Sequence, residues 1–316
     1  MRGERPRDEG AFHEGEVALQ REAGVSERMH RLGPQIMRAS LPEQHRRFFP
    51  LLPFIVVGSV DERGQPTASL LGGPPGFVHS PDPESLRIDA LPAQGDPLDR
   101  NLQVGTSLGL LGIQLHTRRR NRVNGSVLTR DEVGFSLEVD QSFGNCPKYI
   151  QPREVVYLGS DEPGEASVAA GLSAPQRALV EAADTFYLAS AHPEAPASVT
   201  PSHGVDVSHR GGPPGFAHFT DDSSFIIPDF RGNNLYNTLG NLQLNRLAGL
   251  LFVDPVQGHL LQIEASAELL HGSHPLAHPE GTGRIVRCRV LQTRWFPRAS
   301  PLRFSALLEA PPLIEL

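Results

Sequence analysis

The chain has 316 residues and a mass of 34.4 kDa, about twice the usual single-domain length, so one large or two medium domains are expected. Hydrophobic residues make up 39%, ordinary for a globular protein, which argues against disorder and membrane residence. The 29 basic residues fall short of the 36 acidic ones by seven, a net charge of −7 that disfavours partners such as nucleic acid or an anionic membrane.

Two cysteines, Cys146 and Cys288, cannot form a disulfide scaffold, and no Cys-x-x-Cys pair is present. The charged start, residues 1–10, lacks the apolar stretch of a secretory signal. The longest apolar run, residues 51–57, contains Pro53 and is far short of the ~20 residues of a membrane helix. A cytoplasmic location is therefore expected. With 31 glycines and 29 prolines and no collagen-like period, many short strands joined by tight turns are predicted.

In chain order, residues 1–40 are expected to form a helical extension. Ser40-Leu41-Pro42-Glu43 has the spacing of a capping box and predicts a helix over 44–49. Residues 54–60 are apolar and β-branched, Asp61-Glu62-Arg63-Gly64 is a turn, and residues 66–71 extend again. Further strands are predicted over 86–90, 108–115, 122–129 and 133–139, with a short helix within 97–105. Residues 159–171, rich in Ala, Ser and Gly, read as a linker. A second capping box, Ser173-Ala174-Pro175-Gln176, predicts a helix over 177–183. Strands over 186–190, 198–201, 225–228, 248–253 and 260–269 follow, with a helix within 233–245.

The second half repeats the first. Gly72-Gly73-Pro74-Pro75-Gly76-Phe77-Val78-His79 recurs as Gly211-Gly212-Pro213-Pro214-Gly215-Phe216-Ala217-His218. Asn101-Leu102-Gln103 and Gly109-Leu110-Leu111 recur as Asn241-Leu242-Gln243 and Gly249-Leu250-Leu251, in one register to within a residue. Two copies of a unit of about a hundred residues are a duplication rather than a solenoid. The predicted domains are 41–158 and 172–316, the second carrying a C-terminal tail.

Signatures of nucleotide hydrolysis, Rossmann dinucleotide binding, serine hydrolysis and zinc proteolysis are absent from the sequence. The run Arg118-Arg119-Arg120-Asn121-Arg122 is either a solvated turn or, if extended, a face of three like charges that needs an anion. His203, Asp206 and His209 have donor types for a metal, but no regular element brings them together, and no metal is expected. The segment 202–212 reads instead as a polar loop present only in the second copy, its amides, Ser208 and Arg210 converging on a phosphate. Residues 143–150 form an irregular segment whose Cys146 lacks a visible base. Asn233, Asn234, Asn237 and Thr238 are uncharged donors at a helix start, suited to an anion, whereas Asp96 and Asp99 in the first copy would repel one.

Together the repeated Gly-Gly-Pro-Pro-Gly-Phe unit, the strand at 118–125, Asn145-Cys146-Pro147-Lys148-Tyr149-Ile150, Asp206-Val207-Ser208-His209-Arg210-Gly211-Gly212 and Pro228-Asp229-Phe230 with Asn237-Thr238-Leu239-Gly240-Asn241 resemble the pyridoxamine 5'-phosphate oxidase-like FMN-binding split-barrel family. The pattern is similar to duplicated bacterial members and spans residues 41–270. The resemblance implies a mainly β fold: two tandem six-stranded antiparallel split barrels forming an intrachain pseudo-dimer, with short flanking helices. It implies FMN at the seam. Ser208, Arg210, Asn233, Asn234, Asn237 and Thr238 would hold the phosphate, with Arg120 and Arg122 adding charge from the other barrel. His209, Lys148 and Tyr149 would line the ring or substrate side, and Asp229 joins the cofactor-binding set. Family members place a Lys or Arg at the strand-to-helix turn, where this chain has asparagines. The implied activity is hydride transfer between flavin and a small-molecule substrate, with an electron donor such as NAD(P)H. A non-catalytic flavin- or haem-binding role and a homodimer are alternatives of the same resemblance. Some duplicated relatives add a ferredoxin-reductase module after the second barrel; none is expected after Ser305.

Overall fold

The computed structural model describes residues 10–159, 163–272 and 281–309. Residues 160–162 of the expected linker, nearly all of the charged start and the end of the C-terminal tail lie outside them. Helices α1 (Glu14–Glu22), α2 (Ser26–Ile36) and α3 (Glu43–Arg46) and a 3₁₀ turn at Phe49–Leu51 open the chain. There follow β1 (Phe54–Val60), β2 (Pro66–Gly72), β3 (Val78–His79), β4 (Ser85–Ile88), α4 (Leu98–Asn101), β5 (Ser107–Gln114), β6 (Arg119–Arg130) and β7 (Phe135–Gly144). After β8 (Val155–Tyr157), β9 (Ser167–Ala169) and α5 (Ala174–Ala182), the second half runs through β10 (Thr185–Ala191), β11 (Val205–Gly211), β12 (His218–Phe219) and β13 (Ser224–Phe230). It ends with α6 (Asn237–Leu244), β14 (Leu247–Val253), β15 (Leu260–Leu270), β16 (Gly281–Phe296) and β17 (Leu302–Phe304).

The first sheet has the order β2-β1-β5-β6-β7-β4-β3, and the second has β11-β10-β14-β15-β16-β13-β12, the same order strand for strand. Every pairing is antiparallel. All seven strands of the first sheet send side chains into one core, from Ile55 and Leu71 through Val78 and Ile88 to Leu110, Val123 and Leu137. One sheet enclosing one core must curl round it, so each sheet is a split barrel. Phe186, Phe225, Leu250, Ile263 and Cys288 form the matching core of the second. The fold is thus mainly β, two antiparallel split barrels with short flanking helices.

A third core lies between the barrels, where Val56, Leu70 and Leu111 meet Tyr187, Val207, Leu251 and Leu260. Two equivalent glycines permit this approach. A Cβ on Gly109 would lie 2.3 Å from the Val205 carbonyl oxygen, and one on Gly249 would lie 2.4 Å from that of Pro66. Any side chain there would hold the barrels apart.

Several expectations need correction. The sheets contain seven and eight strands rather than six, because the two-residue strands β3 and β12 close a hairpin edge and β9 joins β16 in the second. Ser40 does not cap α3: Pro42 holds the N-cap position without a side-chain bond. At α5 the expected reciprocal bond is present, the Ser173 amide donating to Gln176 Oε1 at 2.8 Å. Residues 198–201 are not a strand. Residues 205–211, expected as a loop, form β11, which pairs with β10 from Thr185↔Gly211 to Ala191↔Val205. Within the expected linker, β9 pairs with β16, and β17 of the expected tail pairs with β8. Among the described residues, no helix is long and apolar enough to cross a membrane.

Candidate functional site

A cavity of about 340 Å³ opens where the first barrel's β6 faces the second barrel's β11 and α6. This volume lies within the range of small-molecule sites. All twelve residues assigned from the sequence line it: Arg120, Arg122, Lys148, Tyr149, Ser208, His209, Arg210, Asp229, Asn233, Asn234, Asn237 and Thr238. Arg118 does not join them. It sits at a left-handed turn (φ 54°) before β6, so strand alternation puts only Arg120 and Arg122 on the cavity side.

The segment after β7 reaches across to the second barrel. Asn145 Oδ1 accepts from Asn233 Nδ2 at 2.6 Å, and the Tyr149 ring stacks on Phe230 at 4.9 Å between centroids. The Tyr149 hydroxyl donates to the Arg231 carbonyl at 3.2 Å. Gly211 is required beneath this segment, since a Cβ there would lie 2.0 Å from the Tyr149 carbonyl oxygen.

The buried floor is a polar network. Arg122, 2% exposed, donates to Ser208 Oγ and Asn237 Oδ1, each at 3.3 Å, and forms an ion pair with Asp206. Asp206 also accepts from Asn124 at 2.8 Å and from Asn241 at 3.1 Å. Thr238 Oγ1 donates to Ser208 Oγ at 2.9 Å. Asn237 Nδ2 in turn donates to Glu16 of α1, whose carboxyl is pushed well above the usual carboxylate range by burial and by the Asp206 charge. His203, Asp206 and His209 do not converge: Asp206 is held by Arg122, and His209 faces Arg120.

Charge balance is the site's distinctive property. Six cations line the cavity, Arg120, Arg122, Lys148, Arg210, Arg231 and Arg284, against one carboxylate, Asp229. Asp229 is engaged with Arg284 at 3.1 Å and with Thr282 at 2.7 Å. Arg122 has Asp206. Arg210 makes no side-chain hydrogen bond or ion pair among the described residues, and burial lowers its pKa. Arg120 donates only to the Cys146 carbonyl at 2.7 Å and to His209, and burial pulls it down to about 10, still charged at neutral pH. Burial, with Arg120 and Arg210 alongside, holds His209 well below the ordinary histidine range and therefore neutral. Its Nδ1 faces Arg120 at 3.4 Å, while its buried Nε2 has no partner. A pocket with free guanidinium groups, two hydroxyls and the amide end of an eight-residue helix is built for an anion.

The pseudo-equivalent seam is closed. Ladder registers pair Leu111 with Arg122 and Ile113 with Arg120 in the first barrel, and Leu251 with Gln262 and Val253 with Leu260 in the second. Arg122 and Arg120 are therefore matched by Gln262 and Leu260. By the same logic His209 and Arg210 are matched by Leu70 and Leu71. Gln262 spans to Ser69, Asp96 and the Ala68 carbonyl, and Leu70 and Leu260 fill the inter-barrel core. A Cβ on Gly72, the match of Gly211, would strike Pro301 at 2.6 Å, so Pro301 occupies the place that Tyr149 borders in the open seam.

Sequence reasoning missed Phe216, Tyr236, Thr282 and Arg284 in the lining and Glu16 beneath it. Arg284 carries no local motif. Glu16 does have a signal, three residues after an N-cap, but the cap is His13 rather than Ser, Thr, Asp or Asn.

No family model matches the chain, and no curated protein does. Among solved structures, it is similar to HupZ of Group A Streptococcus at 12% identity, over 38% of this chain and 89% of that one, with a TM-score of 0.27. It is similar to HutZ, the heme storage protein from Vibrio cholerae, at 11% identity over 36% and 85%, with a TM-score of 0.25. A putative pyridoxamine 5'-phosphate oxidase from Corynebacterium glutamicum matches at 14% identity over 44% and 98%, with a TM-score of 0.28. At such scores these likenesses transfer neither ligand nor activity to this chain.

Proposed function

We propose that the open seam holds FMN and that the chain is a cytoplasmic flavin-dependent oxidoreductase of the pyridoxamine 5'-phosphate oxidase-like type. The substrate is a small molecule and the electron donor is of the NAD(P)H class; nucleic acid and membrane are not partners. The two barrels, residues 41–158 and 172–316, are read as tandem copies whose covalent link replaces a subunit interface, though a homodimer of whole chains stays open to test. The observation that carries the reading is the Arg210 guanidinium, without a side-chain hydrogen bond or ion pair among the described residues, in the same cavity lining as the Ser208 and Thr238 hydroxyls at the start of α6. The residues fit the cofactor on two further grounds: among the described residues Arg120 has no acid partner and the buried His209 Nε2 has no acceptor, both on the ring side.

When bound, flavin supplies hydride transfer; the protein supplies orientation and electrostatics. Arg210, Ser208, Thr238 and the first-turn amides of α6 would hold the phosphate, and Asn233 and Asn234 border it. Arg122 positions Ser208 and Asn237 rather than meeting the ligand with a free charge, because Asp206 neutralises it. Arg120 stabilises negative charge on the ring side, and neutral His209 is a hydrogen-bond donor there through Nε2. Tyr149 and Phe230 form an apolar wall that excludes water.

The test is the absorption spectrum and mass analysis of the purified protein. A flavin spectrum that bleaches with NAD(P)H and recovers in air supports the enzyme. Flavin that no physiological donor reduces, or a Soret band, would replace it with a non-catalytic flavin- or haem-binding protein.

A further inference from the structure

Away from the cavity, three histidines and two glutamates meet where α1 abuts the β10–β11 connection. His13 caps α1 and Glu14 begins it, while His192, Glu194 and His203 lie in the connection. His13 and His192 are both 4% exposed. Each ring accepts, through Nδ1, the backbone amide two residues ahead: His13 from Gly15 and His192 from Glu194, both at 3.2 Å. Nδ1 therefore carries no proton, and the Nε2–H of each ring faces a carboxyl group, Glu16 at 3.6 Å from His13 and Glu14 at 3.5 Å from His192. The two rings meet edge-on at 5.2 Å between centroids, and His203 stacks on His192 at 3.9 Å.

This arrangement admits only neutral rings. A second proton can enter only at Nδ1, where it would set an N–H against the amide N–H that Nδ1 now accepts, and both amide bonds would be lost. For His13 that bond is half of the capping box of α1, whose other half is the His13 amide donating to Glu16 at 2.9 Å. Two imidazolium rings at this separation, with His203 against one of them, would also repel in a buried setting. The charged groups facing the pair are Glu14 and Glu16 from α1, Glu194 and His203 from the connection, and Asp206 from β11, with Arg122 of β6 behind Glu16. The α6 helix, which packs against α1, contributes no titratable side chain. Burial, with His192 and His203 adding to it, holds His13 down at about 4 against the pull of Asp206 and Glu14, and burial lowers His192 as well.

We infer that the junction is a proton-operated latch: neutral imidazoles at His13 and His192 dock α1 onto the second barrel, and protonation at Nδ1 releases it. Release reaches the cavity because Glu16, in the first turn of α1, accepts from Asn237, which in turn accepts from Arg122. That link to ligand binding rests on the function proposed above, whereas the latch itself does not. Linkage gives the sign. A freed His13 returns toward 6.5, so between that value and about 4 the released state binds the extra proton, and for this ring alone acid favours release by about thirtyfold at pH 5. His192 acts the same way, as does Glu14 in stronger acid. Glu16, held up by burial and by Asp206, acts against them because it loses a proton on release, which leaves a smaller net effect.

The experiment follows amide hydrogen exchange of the full chain without ligand by mass spectrometry, as protection corrected for the intrinsic rate, from pH 7.5 down to pH 5. Protection of α1 is expected to fall by about tenfold over that range while protection of β1 holds. His13→Asn keeps an N-cap acceptor but cannot titrate, and His192→Asn does the same for the Glu194 amide; each should shrink the fall by about threefold or more. Should either variant lose β1 protection as well, His203→Ala carries the test: it removes one charge from the stack and should move the midpoint of release to lower pH, and an unmoved midpoint would count against the latch. Titration with FMN at both ends of the range is read separately, and its affinity should drop with acid more in the wild type than in His13→Asn. Absence of FMN binding at either pH would remove the proposed function and leave the exchange result standing. An α1 protection that falls equally in the wild type and in both asparagine variants, or does not fall in the wild type, would overturn the latch.

Discussion

Arg210 carries a full charge into a half-buried position where the one cavity carboxylate, Asp229, already serves Arg284 and Thr282. Replacing it with alanine is expected to weaken binding of FMN, or of inorganic phosphate as a probe, by about 1.5–3 kcal/mol, the range of a charge-assisted bond. Because Arg210 makes no side-chain hydrogen bond or ion pair among the described residues, the same variant should melt at or slightly above the wild-type temperature without ligand. A fluorescence titration paired with calorimetry checks both. Undiminished affinity would remove Arg210 from the phosphate site. The residues of the cavity were legible where they sit in recognisable segments, as Ser208, Arg210 and Tyr149 do. They were not legible where the contact is long-range and unpatterned, as when Arg284 and Glu16 reach the site from the two ends of the chain. Buried histidines set the response to acid. Burial drops His13 and His45 from 6.5 to about 4, so between those values the unfolded chain takes up protons that the native state refuses, and stability falls as the pH falls. For His45 the loss is about 2 kcal/mol once solvent screening is allowed for. Asp96, raised by burial to about 6, acts in the opposite direction between pH 6 and 4, because there the native state holds the extra proton. His192 and His209, also lowered by burial, add to the fall, and Glu16, raised by burial, opposes it; four imidazoles outweigh two carboxyls, and the melting temperature is expected to fall from pH 7 to pH 4.5. His45→Gln, which keeps an amide for Ser142, should flatten that slope; an unaltered slope would show that His45 is not a source of it.

At the level of elements, the sensitive joint is the crossing of α1 over α6. Gly15 and Gly240 meet there: a Cβ on Gly15 would lie 2.3 Å from the Gly240 carbonyl oxygen, and one on Gly240 would lie 2.7 Å from the Glu16 amide nitrogen. Backbone cannot yield as a flexible side chain can, so Gly240→Ala is expected to lift α1 at a cost of about 1–3 kcal/mol. The helix would take Glu16 away from Asn237, loosening the residue that also receives Arg122. Limited proteolysis within residues 14–36 should speed up in this variant, together with weaker ligand binding. Cleavage at the wild-type rate would mean that the crossing absorbs a methyl group. Strands that are near-continuous apolar runs, such as β1, β5 and β14, could be read directly. β11 could not, because Asp206, Ser208, His209 and Arg210 have the composition of a loop. They occupy a strand because their polar groups are met across the seam by Arg122, Asn124 and Arg120. The Ser40 capping pattern failed for a related reason: Leu41, beyond it, is drawn into the first barrel's core, and the helix starts after Pro42.

On the scale of the whole molecule, two barrels of identical strand order present two geometrically matched seams, yet only one is polar and open. The substitutions that distinguish them fall at matched register positions: Arg120 against Leu260, Arg122 against Gln262, His209 against Leu70, Arg210 against Leu71. The first three place a charge or imidazole on the open side and an apolar or neutral group on the closed one, whereas Leu71 turns into the first barrel's core. Leu70 and Leu260 bury surface between the barrels, at roughly 25 cal/mol per Å², while the open seam keeps free cations that weaken the same contact. On the proposed reading the closed seam is the mechanical bond and the open one the ligand site, a division that a symmetric dimer could not make. Two consequences can be measured on one preparation. Equilibrium titration with FMN is expected to saturate at one molecule per 316-residue chain, because Pro301 and Gln262 fill the matched seam. Unfolding should be a single transition, because the inter-barrel core belongs to both halves, and saturating FMN should shift that whole transition upward rather than splitting it. Saturation at two per chain, or two resolved transitions with only one moved by ligand, would show that the seams are alike or that the barrels fold independently.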